Sequence, residues 1–327
     1  MEFSQRNIER LADLRARFLD ASGEKDDYWS SEETLALYDE TFAERIGWKW
    51  DFALRDLERL DWSLPEGAVL DWGCGTGVAS RKVLRSAIAR RANSLWLYDR
   101  SALAMRFAAK RLEQSFPTLP IAQGENLNAT TILVSHVLNE LSERDLRQLL
   151  ERMERATAIL WVEPSLKSVS KRLVEIREKL RERFRVVAPC PHQAKCGMLA
   201  PENETHWCHH VVKPPQEAFT QSKWAKFAQA MRVDLRDLSL SYLVLDKRPI
   251  APLEAQVKRV IGNARLYKAH ASLLVCDETG ARECQLLKRD FPNVFKALKK
   301  GETPSLQKMN VENGRIVEWR ESERDDA

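Results

Sequence analysis

No apolar run in this 327-residue sequence approaches the ~20 residues that a membrane-spanning helix requires. No apolar stretch follows the first residues either, which argues against a secretory signal. An excess of one charge is also missing. Against 52 Lys and Arg stand 48 Asp and Glu, and a net charge of +4 names no partner. Internal repeats and low-complexity tracts are absent. Cysteine is scarce, at six residues, and in a reducing compartment these are not expected to pair as disulfides. The segment from Met1 to Asp20 is expected to form an amphipathic helix. It interleaves Arg6, Arg10, Arg15 and Arg17 with Glu2, Glu9, Asp13 and Asp20. Transit peptides are poor in acids, so a cytoplasmic protein is expected. What remains is a chain with 44% hydrophobic residues, too apolar to be disordered. It is long enough for its own core, in one large domain with appendages or in two domains.

Apolar spacing then divides the chain. Residues 1–60 read as a helical region, with apolar side chains at helical spacing in SSEETLALYDETFAERIG and DFALRDLERL. Pro65-Glu66-Gly67 is a turn, after which AVLDWG is a short apolar run ending in glycine. From there strands and helices alternate. SLWLYD, LPIAQ, ATTILVSHV and TAILWVEP read as strands, separated by amphipathic helices such as SALAMRFAAKRLEQSF. Such alternation predicts a parallel, doubly wound α/β sheet. LSLSYLVLDK alternates apolar and polar residues and is expected to close one sheet edge. Residues 187–220 break the pattern with Pro, Cys and His and read as an insertion. RLYKAHASLLVCD, ARECQLLKRD and GRIVEWR predict a small antiparallel β unit over 251–327. The main domain is expected over 61–250.

The loop Asp71-Trp72-Gly73-Cys74-Gly75-Thr76-Gly77 joins the first of these strands to a helix. Glycines there let the backbone approach a ligand at a helix N-terminus. The spacing is tighter than the dinucleotide G-x-G-x-x-G and resembles motif I of class I S-adenosylmethionine (SAM) methyltransferases. Asp99 ends the next strand, where an acid can accept hydrogen bonds from both ribose hydroxyls. Candidate SAM contacts are therefore Asp71, Gly73, Gly75, Gly77, Asp99 and Ser135, the last at the end of the fourth strand. Another nucleotide in a Rossmann-type site is the alternative. Cys74 is expected to be a small residue fitted against the backbone.

The insertion holds Cys190, Cys196 and Cys208 within 19 residues, interleaved with His192, His206, His209 and His210. Soft thiolates suit zinc or an iron–sulfur cluster. Structural zinc often uses a C-x(2–4)-C knuckle, and the first gap here is five. A cluster needs a fourth ligand, usually a thiolate, for which Cys276 is the candidate and Cys284 the runner-up. Buried, unligated cysteines are the bland alternative.

Motif I, the strand end SHVLNEL, the WVEPS strand and VVAPCPHQAKC with HWCHH together resemble one family over roughly residues 60–285. It is the methyltransferase-like family of the small ribosomal subunit (the Rsm-twenty-two family) of bacteria and mitochondria. The resemblance implies a class I SAM-dependent methyltransferase (Rossmann-like) fold. It also implies a role in small-subunit assembly and a 4Fe–4S cluster on Cys190, Cys196, Cys208 and Cys276. Two departures stand out. Gly197 follows Cys196 where the family usually has proline, and Glu163-Pro164-Ser165-Leu166-Lys167 replaces E-P-G-T-P.

The D/N-P-P-Y of amino-directed nucleic-acid methyltransferases is missing, and Ser135-His136-Val137-Leu138-Asn139-Glu140 stands in its place. Asn139 and Glu140 could contact SAM or a base, but no residue reads as a base or nucleophile. SAM binding is thus better supported than methyl transfer. Between Lys167 and Arg185 lie eight Lys or Arg against three Glu, and between Lys247 and Lys268 six against one. These basic stretches, including Arg172 and Arg177, are expected to contact rRNA phosphates of the small subunit or its assembly intermediate. No DNA partner is expected. A small-molecule methyltransferase with structural zinc is the competing reading.

Overall fold

The computed structural model describes residues 4–19, 27, 29–236, 238–302 and 305–320. In chain order the first half contains α1 (Gln5–Leu19), α2 (Glu32–Tyr38), α3 (Glu44–Arg59), β1 (Gly67–Trp72), α4 (Val78–Arg85), β2 (Ala92–Tyr98), α5 (Ala102–Ser115), β3 (Ile121–Gln123), β4 (Thr131–Ser135), α6 (Glu143–Met153) and β5 (Ala158–Pro164). There follow α7 (Lys167–Leu180), β6 (Arg185–Ala188), β7 (His210–Val211), α8 (Glu217–Thr220), α9 (Ser222–Met231), β8 (Ser239–Asp246), β9 (Val257–Leu266), β10 (His270–Asp277), β11 (Gly280–Leu287), α10 (Pro292–Lys299), β12 (Leu306–Glu312) and β13 (Arg315–Arg320). By compactness the chain forms two units, 1–163 with 214–238 and 164–213 with 239–327.

In the first unit the strands pair in parallel in the order β3-β2-β1-β4-β5. This is the doubly wound, Rossmann-like arrangement expected of a class I SAM methyltransferase. Leu133, Val134, Ile159, Leu160 and Trp161 are wholly buried or nearly so, as strands covered on both faces must be. Serines start three of the helices. Ser31, Ser101 and Ser142 each accept a hydrogen bond from the backbone N–H three residues on, satisfying a donor that the helix itself leaves unpaired.

The two helical stretches expected before the sheet are one helix from Glu32 to Arg59, with a π-helical turn at Asp39–Ala43. Gly47 lies inside it, where a side chain would meet Lys82 Cε at 2.6 Å. Aromatic contacts seat α9 on this helix, through Phe42–Phe227 at 5.1 Å and Trp48–Trp224 at 4.6 Å. The N-terminal helix runs over Gln5–Leu19; Met1–Phe3 and Asp20 lie outside the described residues.

In the second unit, β8 is not the edge that its alternation suggested. It pairs antiparallel with β6 and with β7 and is buried over seven of its eight residues. The expected antiparallel unit is a closed five-stranded barrel, β10-β11-β13-β12-β9. One of its pairings is parallel, β11 with β13, because α10 and β12 intervene and return the chain in the same direction. Val260, Leu273, Val275, Leu286, Met309 and Ile316 fill the barrel, with Phe295 and Leu298 of α10 packed on them.

Asp39, in the π-helical turn, is 4% exposed. It pairs with the buried Arg81 and, at 2.9 Å, with Arg111. Asp39→Ala should strand the Arg81 charge and cost about 3–5 kcal/mol. Urea denaturation should show the midpoint falling at unchanged slope.

Candidate functional site

β1 delivers Asp71 to the glycine loop, and every loop glycine has positive φ: Gly73 at 72°, Gly75 at 50° and Gly77 at 75°. The reasons differ. A side chain at Gly73 would meet Val137 Cγ1 at 2.6 Å, whereas one at Gly75 would meet nothing within 4 Å. The backbone at Gly75 therefore faces open space, as a ligand-cradling turn requires. Gly73 and Cys74 donate their N–H groups to the carbonyl of Tyr98 at 2.7 and 3.0 Å, which fastens the loop to the end of β2.

Asp71 is wholly buried. Its Oδ2 accepts from the Ser80 hydroxyl at 2.6 Å and the Ser80 N–H at 3.2 Å. It thus anchors the first turn of α4, while its Oδ1 has no protein partner. Burial pushes this carboxyl up to about 6. Asp99 accepts from Gly75 N–H and Ser101 N–H, both at 2.9 Å. Five expected SAM residues, Asp71, Gly73, Gly75, Gly77 and Asp99, thus converge at the carboxyl ends of β1 and β2, where open α/β sheets bind ligands. Ser135 stands apart from them in one respect, since its hydroxyl accepts from Trp50 Nε1 at 2.9 Å. Burial raises the Cys74 thiol well above its ordinary value, so it is a packing residue.

Glu163, at the end of β5, had no role in the sequence reading. It is wholly buried and accepts from Val137 N–H and Leu138 N–H, each at 3.1 Å, and from Trp161 Nε1 at 2.7 Å. It fixes the loop that replaces D/N-P-P-Y. β4 stops at Ser135 because His136 takes φ 56°. Desolvation pushes the Glu163 carboxyl up to about 7, against the pull of those three donors.

Cys190, Cys196, Cys208, Cys276 and Cys284 lie in the second unit. Cys196 and Cys276 are buried with Val174, Met198, Ile261 and Ala281, and Cys208 packs against them. Burial first, and then the charges of Cys190, Cys196 and Cys276, raise the Cys208 thiol well above its ordinary value. Burial followed by Cys190 raises Cys196 to about 11. Cys276 rises in the same way through burial and then Cys190 and Cys196. The four candidate ligands therefore share one electrostatic neighbourhood. Cys284 instead faces the barrel interior beside Leu273 and Leu286. Among the described residues no group of three or more His, Cys, Asp or Glu is spaced as a metal site.

Two buried arginines flank these thiols. Arg177, 2% exposed, donates to the carbonyls of Ala194 at 2.8 Å and His192 at 3.5 Å. Arg259, also 2% exposed, donates to the Pro189 carbonyl at 2.7 Å. Burial opposes the Arg177 charge; the sulfurs of Cys190 and Cys196, together with the Glu178 carboxylate that Arg177 pairs with, more than offset it. His192 Nε2 lies 3.6 Å from Cys276 Sγ. This removes Arg177 and Arg259 from the expected RNA surface, because they are buried against the cysteine segment, whereas Lys167, Lys179, Arg181, Arg183 and Arg185 are exposed. Lys258 and Arg248 are committed as well, to Asp277 at 2.7 Å and Asp246 at 2.6 Å.

The fold and the glycine loop thus define a protein of the class I SAM-methyltransferase type. The family described as Mitochondrial small ribosomal subunit Rsm22 matches residues 62–303, about three quarters of the chain, and the chain belongs to it. No curated protein sequence matches. Among solved structures, magnesium protoporphyrin IX methyltransferase from Synechocystis PCC 6803 with bound SAH is 12% identical, covering 74% of this chain and 100% of that one at a TM-score of 0.39. The plantazolicin methyltransferase BpumL in complex with SAH is 16% identical, covering 75% and 99% at 0.38. At such scores the strand order of this chain is the firmer guide to its fold.

Folded Glu163 holds a proton between its ordinary 4.5 and about 7, a range in which the unfolded chain has already released it. Stability should therefore fall as pH rises through that window, by about 3 kcal/mol from this residue. Asp71 acts in the same direction at lower pH. Denaturation curves between pH 4.5 and 7.5 should show a flatter dependence for Glu163→Gln than for the wild type.

Proposed function

We propose that this chain is a SAM-binding, iron–sulfur-containing assembly factor of the small ribosomal subunit that acts on small-subunit rRNA. The observation that carries this reading is the shared neighbourhood of Cys190, Cys196, Cys208 and Cys276, flanked by two buried arginines. Four unligated thiols, two of them buried and two half-buried, gain little from such company. Four thiolates around iron or zinc carry net negative charge, and Arg177 and Arg259 are suited to balance it. Four cysteine sulfurs are the donor chemistry of a 4Fe–4S cluster, and the reading rests on that chemistry, since the four do not stand at ligand spacing here. When bound, it would supply a cross-link between the cysteine segment and β10, and a one-electron centre. Structural zinc is the other metal that such a set can hold.

At the glycine loop the positive-φ backbone, the open space at Gly75 and the unpartnered Oδ1 of Asp71 fit SAM, which supplies an electrophilic methyl group when bound. Asp99 would orient the ribose, and Gly75 would let the backbone approach it. Glu163 holds the loop of His136 to Glu140 across the carboxyl ends of β4 and β5. No side chain in that loop is arranged as a nucleophile, which favours assembly support over methyl transfer as the main role. Among the described residues no helix is long and apolar enough to cross a membrane. The family description names mitochondria, and a cytoplasmic location is part of this proposal only.

Anaerobically purified wild-type protein should be brown and contain about four irons per chain. Cys276→Ser should lose iron and colour, while Cys284→Ser should keep both and lose only some barrel stability. About one zinc without iron would overturn the cluster. Asp99→Ala should weaken SAM binding by roughly tenfold or more in calorimetry. Asp99→Asn, which keeps the shape and removes the charge, should fall between it and the wild type. Tritiated methyl incorporation into small-subunit rRNA from a deletion strain separates the enzyme from the scaffold.

A further inference from the structure

The C-terminal barrel has a connectivity that identifies it. Numbered from β9, its strands close in the order 1-2-3-5-4-1. Strands three and five run parallel, and a helix, α10, lies between strands three and four. This is the topology of an oligonucleotide-binding (OB) fold, whose ligands lie across strands two and three between the first and last hairpin loops. In this chain those positions are β10 and β11, the β9–β10 turn and the β12–β13 turn.

Fold alone does not make a site, but this face is built as one. An open cleft of about 590 Å³ is lined by Ser272 of β10, Gln285 of β11, the turn residues Asn313 and Gly314, and Arg315 and Val317 of β13. Strand register sets Arg265, Ser272, Gln285 and Arg315 in one row across four strands. At one end of the row, Tyr267 is 50% exposed. Its ring stacks on His270 with centroids 4.6 Å apart and planes 15° from parallel. Lys268 follows Tyr267 and is exposed, as are Lys288, whose backbone N–H donates to the Ala269 carbonyl at 3.0 Å, and Arg289, which pairs with Asp290 at 3.3 Å. Two acids also line the cleft, Glu283 and Glu312; Glu283 is engaged by Arg265 and by the Ser272 hydroxyl at 3.2 Å.

The other end of the face is closed. Leu274 and Cys276 point into the cysteine cluster. Gly197 sits so close that a side chain would meet Ala281 N at 2.4 Å, and Asn203 donates to the Ala281 carbonyl at 2.8 Å. Half of the outer face is thus covered by the cysteine segment, and half is left open between two loops.

We propose that this open half of the barrel binds single-stranded RNA, with a base stacking on Tyr267 and phosphates following Lys268, Arg289 and Arg315. A pre-stacked aromatic pair offers a flat surface to any base, and cations beside it suit a backbone that carries one charge per nucleotide. Neutral sugars would use the aromatic platform but not the cations. The inference rests on the small-subunit rRNA reading above; of the two basic stretches expected to contact RNA it keeps the Lys268 end of Lys247–Lys268 and sets aside the buried Arg177 and Arg259.

The test uses the full chain and a fluorescein-labelled single-stranded RNA of roughly 12 nucleotides, within the footprint of one OB fold. Fluorescence anisotropy compares the wild type with Tyr267→Ala and with the double variant Lys268→Glu/Arg315→Glu. Both sites are exposed, and thermal melts check that folding is unchanged. Tyr267→Ala should weaken binding by roughly five- to a hundredfold. The double variant should lower the salt slope by about 0.7 for each phosphate that is no longer neutralised. Phe219→Ala, an exposed aromatic in the first unit, should leave binding unchanged. Equal losses at Phe219 and Tyr267, tighter binding of duplex RNA or single-stranded DNA, or displacement of the RNA by a neutral glucan oligomer would each overturn the proposal. Small-subunit rRNA binding that ignores the barrel variants would overturn it and leave the assembly reading intact. Tyr267-dependent RNA binding by protein without iron or SAM would sustain it and count against the proposed cofactors.

Discussion

A buried guanidinium is costly unless its donors find acceptors and its charge finds a counterpart. The second unit is organised around two of them. Arg177 takes carbonyls at 192 and 194, and Arg259 takes the one at 189. These carbonyls belong to the segment that carries Cys190 and leads to Cys196. The arginines come from a helix and from a barrel strand, so satisfying them draws an irregular loop down between two regular elements. Cys196 N–H, bonded to Glu178 at 3.1 Å, and Cys208 C=O, accepting from Ser170 and Ser241, complete the hold. The loop has little secondary structure of its own, yet its backbone is bonded at many points.

The parallel sheet and its glycine loop were legible because they rest on local rules: apolar runs of strand length, amphipathic helices between them, and a glycine-rich loop where backbone must approach a ligand. Asp71, Gly73, Gly75, Gly77 and Asp99 meet at the ends of β1 and β2 for that reason. The burial of Arg177 escaped a reading by charge, which treats every arginine as exposed. Periodicity held the missing signal. Arg177 follows Leu173 by four and Val174 by three, and precedes Leu180 by three, so it falls on the apolar stripe of α7. Glu163 carried a similar mark as the lone carboxylate in the apolar run of β5.

Other features depend on pairings that no local pattern encodes. The strands at 185–188 and 210–211 are short and acquire their identity from β8 alone. Barrel closure rests on β9 meeting β12 across more than 40 residues. The choice between Cys276 and Cys284 rests on alternation. Eight residues apart on neighbouring strands, they face opposite sides of the barrel wall, one toward the other thiols and one toward the apolar interior. Sequence distance could not separate them, whereas strand register does.

The π-helical turn at Asp39–Ala43 places one residue more in its turn than an α-helix would. A reader of the sequence sees one helical period before it and a shifted one after. Removing a single residue there would restore an even helix, but it would rotate the preceding turns by about 100° about the axis. Thr34, Leu35 and Leu37, now buried, would be carried around toward water. The segment is therefore a phase marker. Its length is held to the residue by what lies on either side, and single-residue gaps should be far better tolerated in the turn at Pro65-Glu66 than anywhere along this helix.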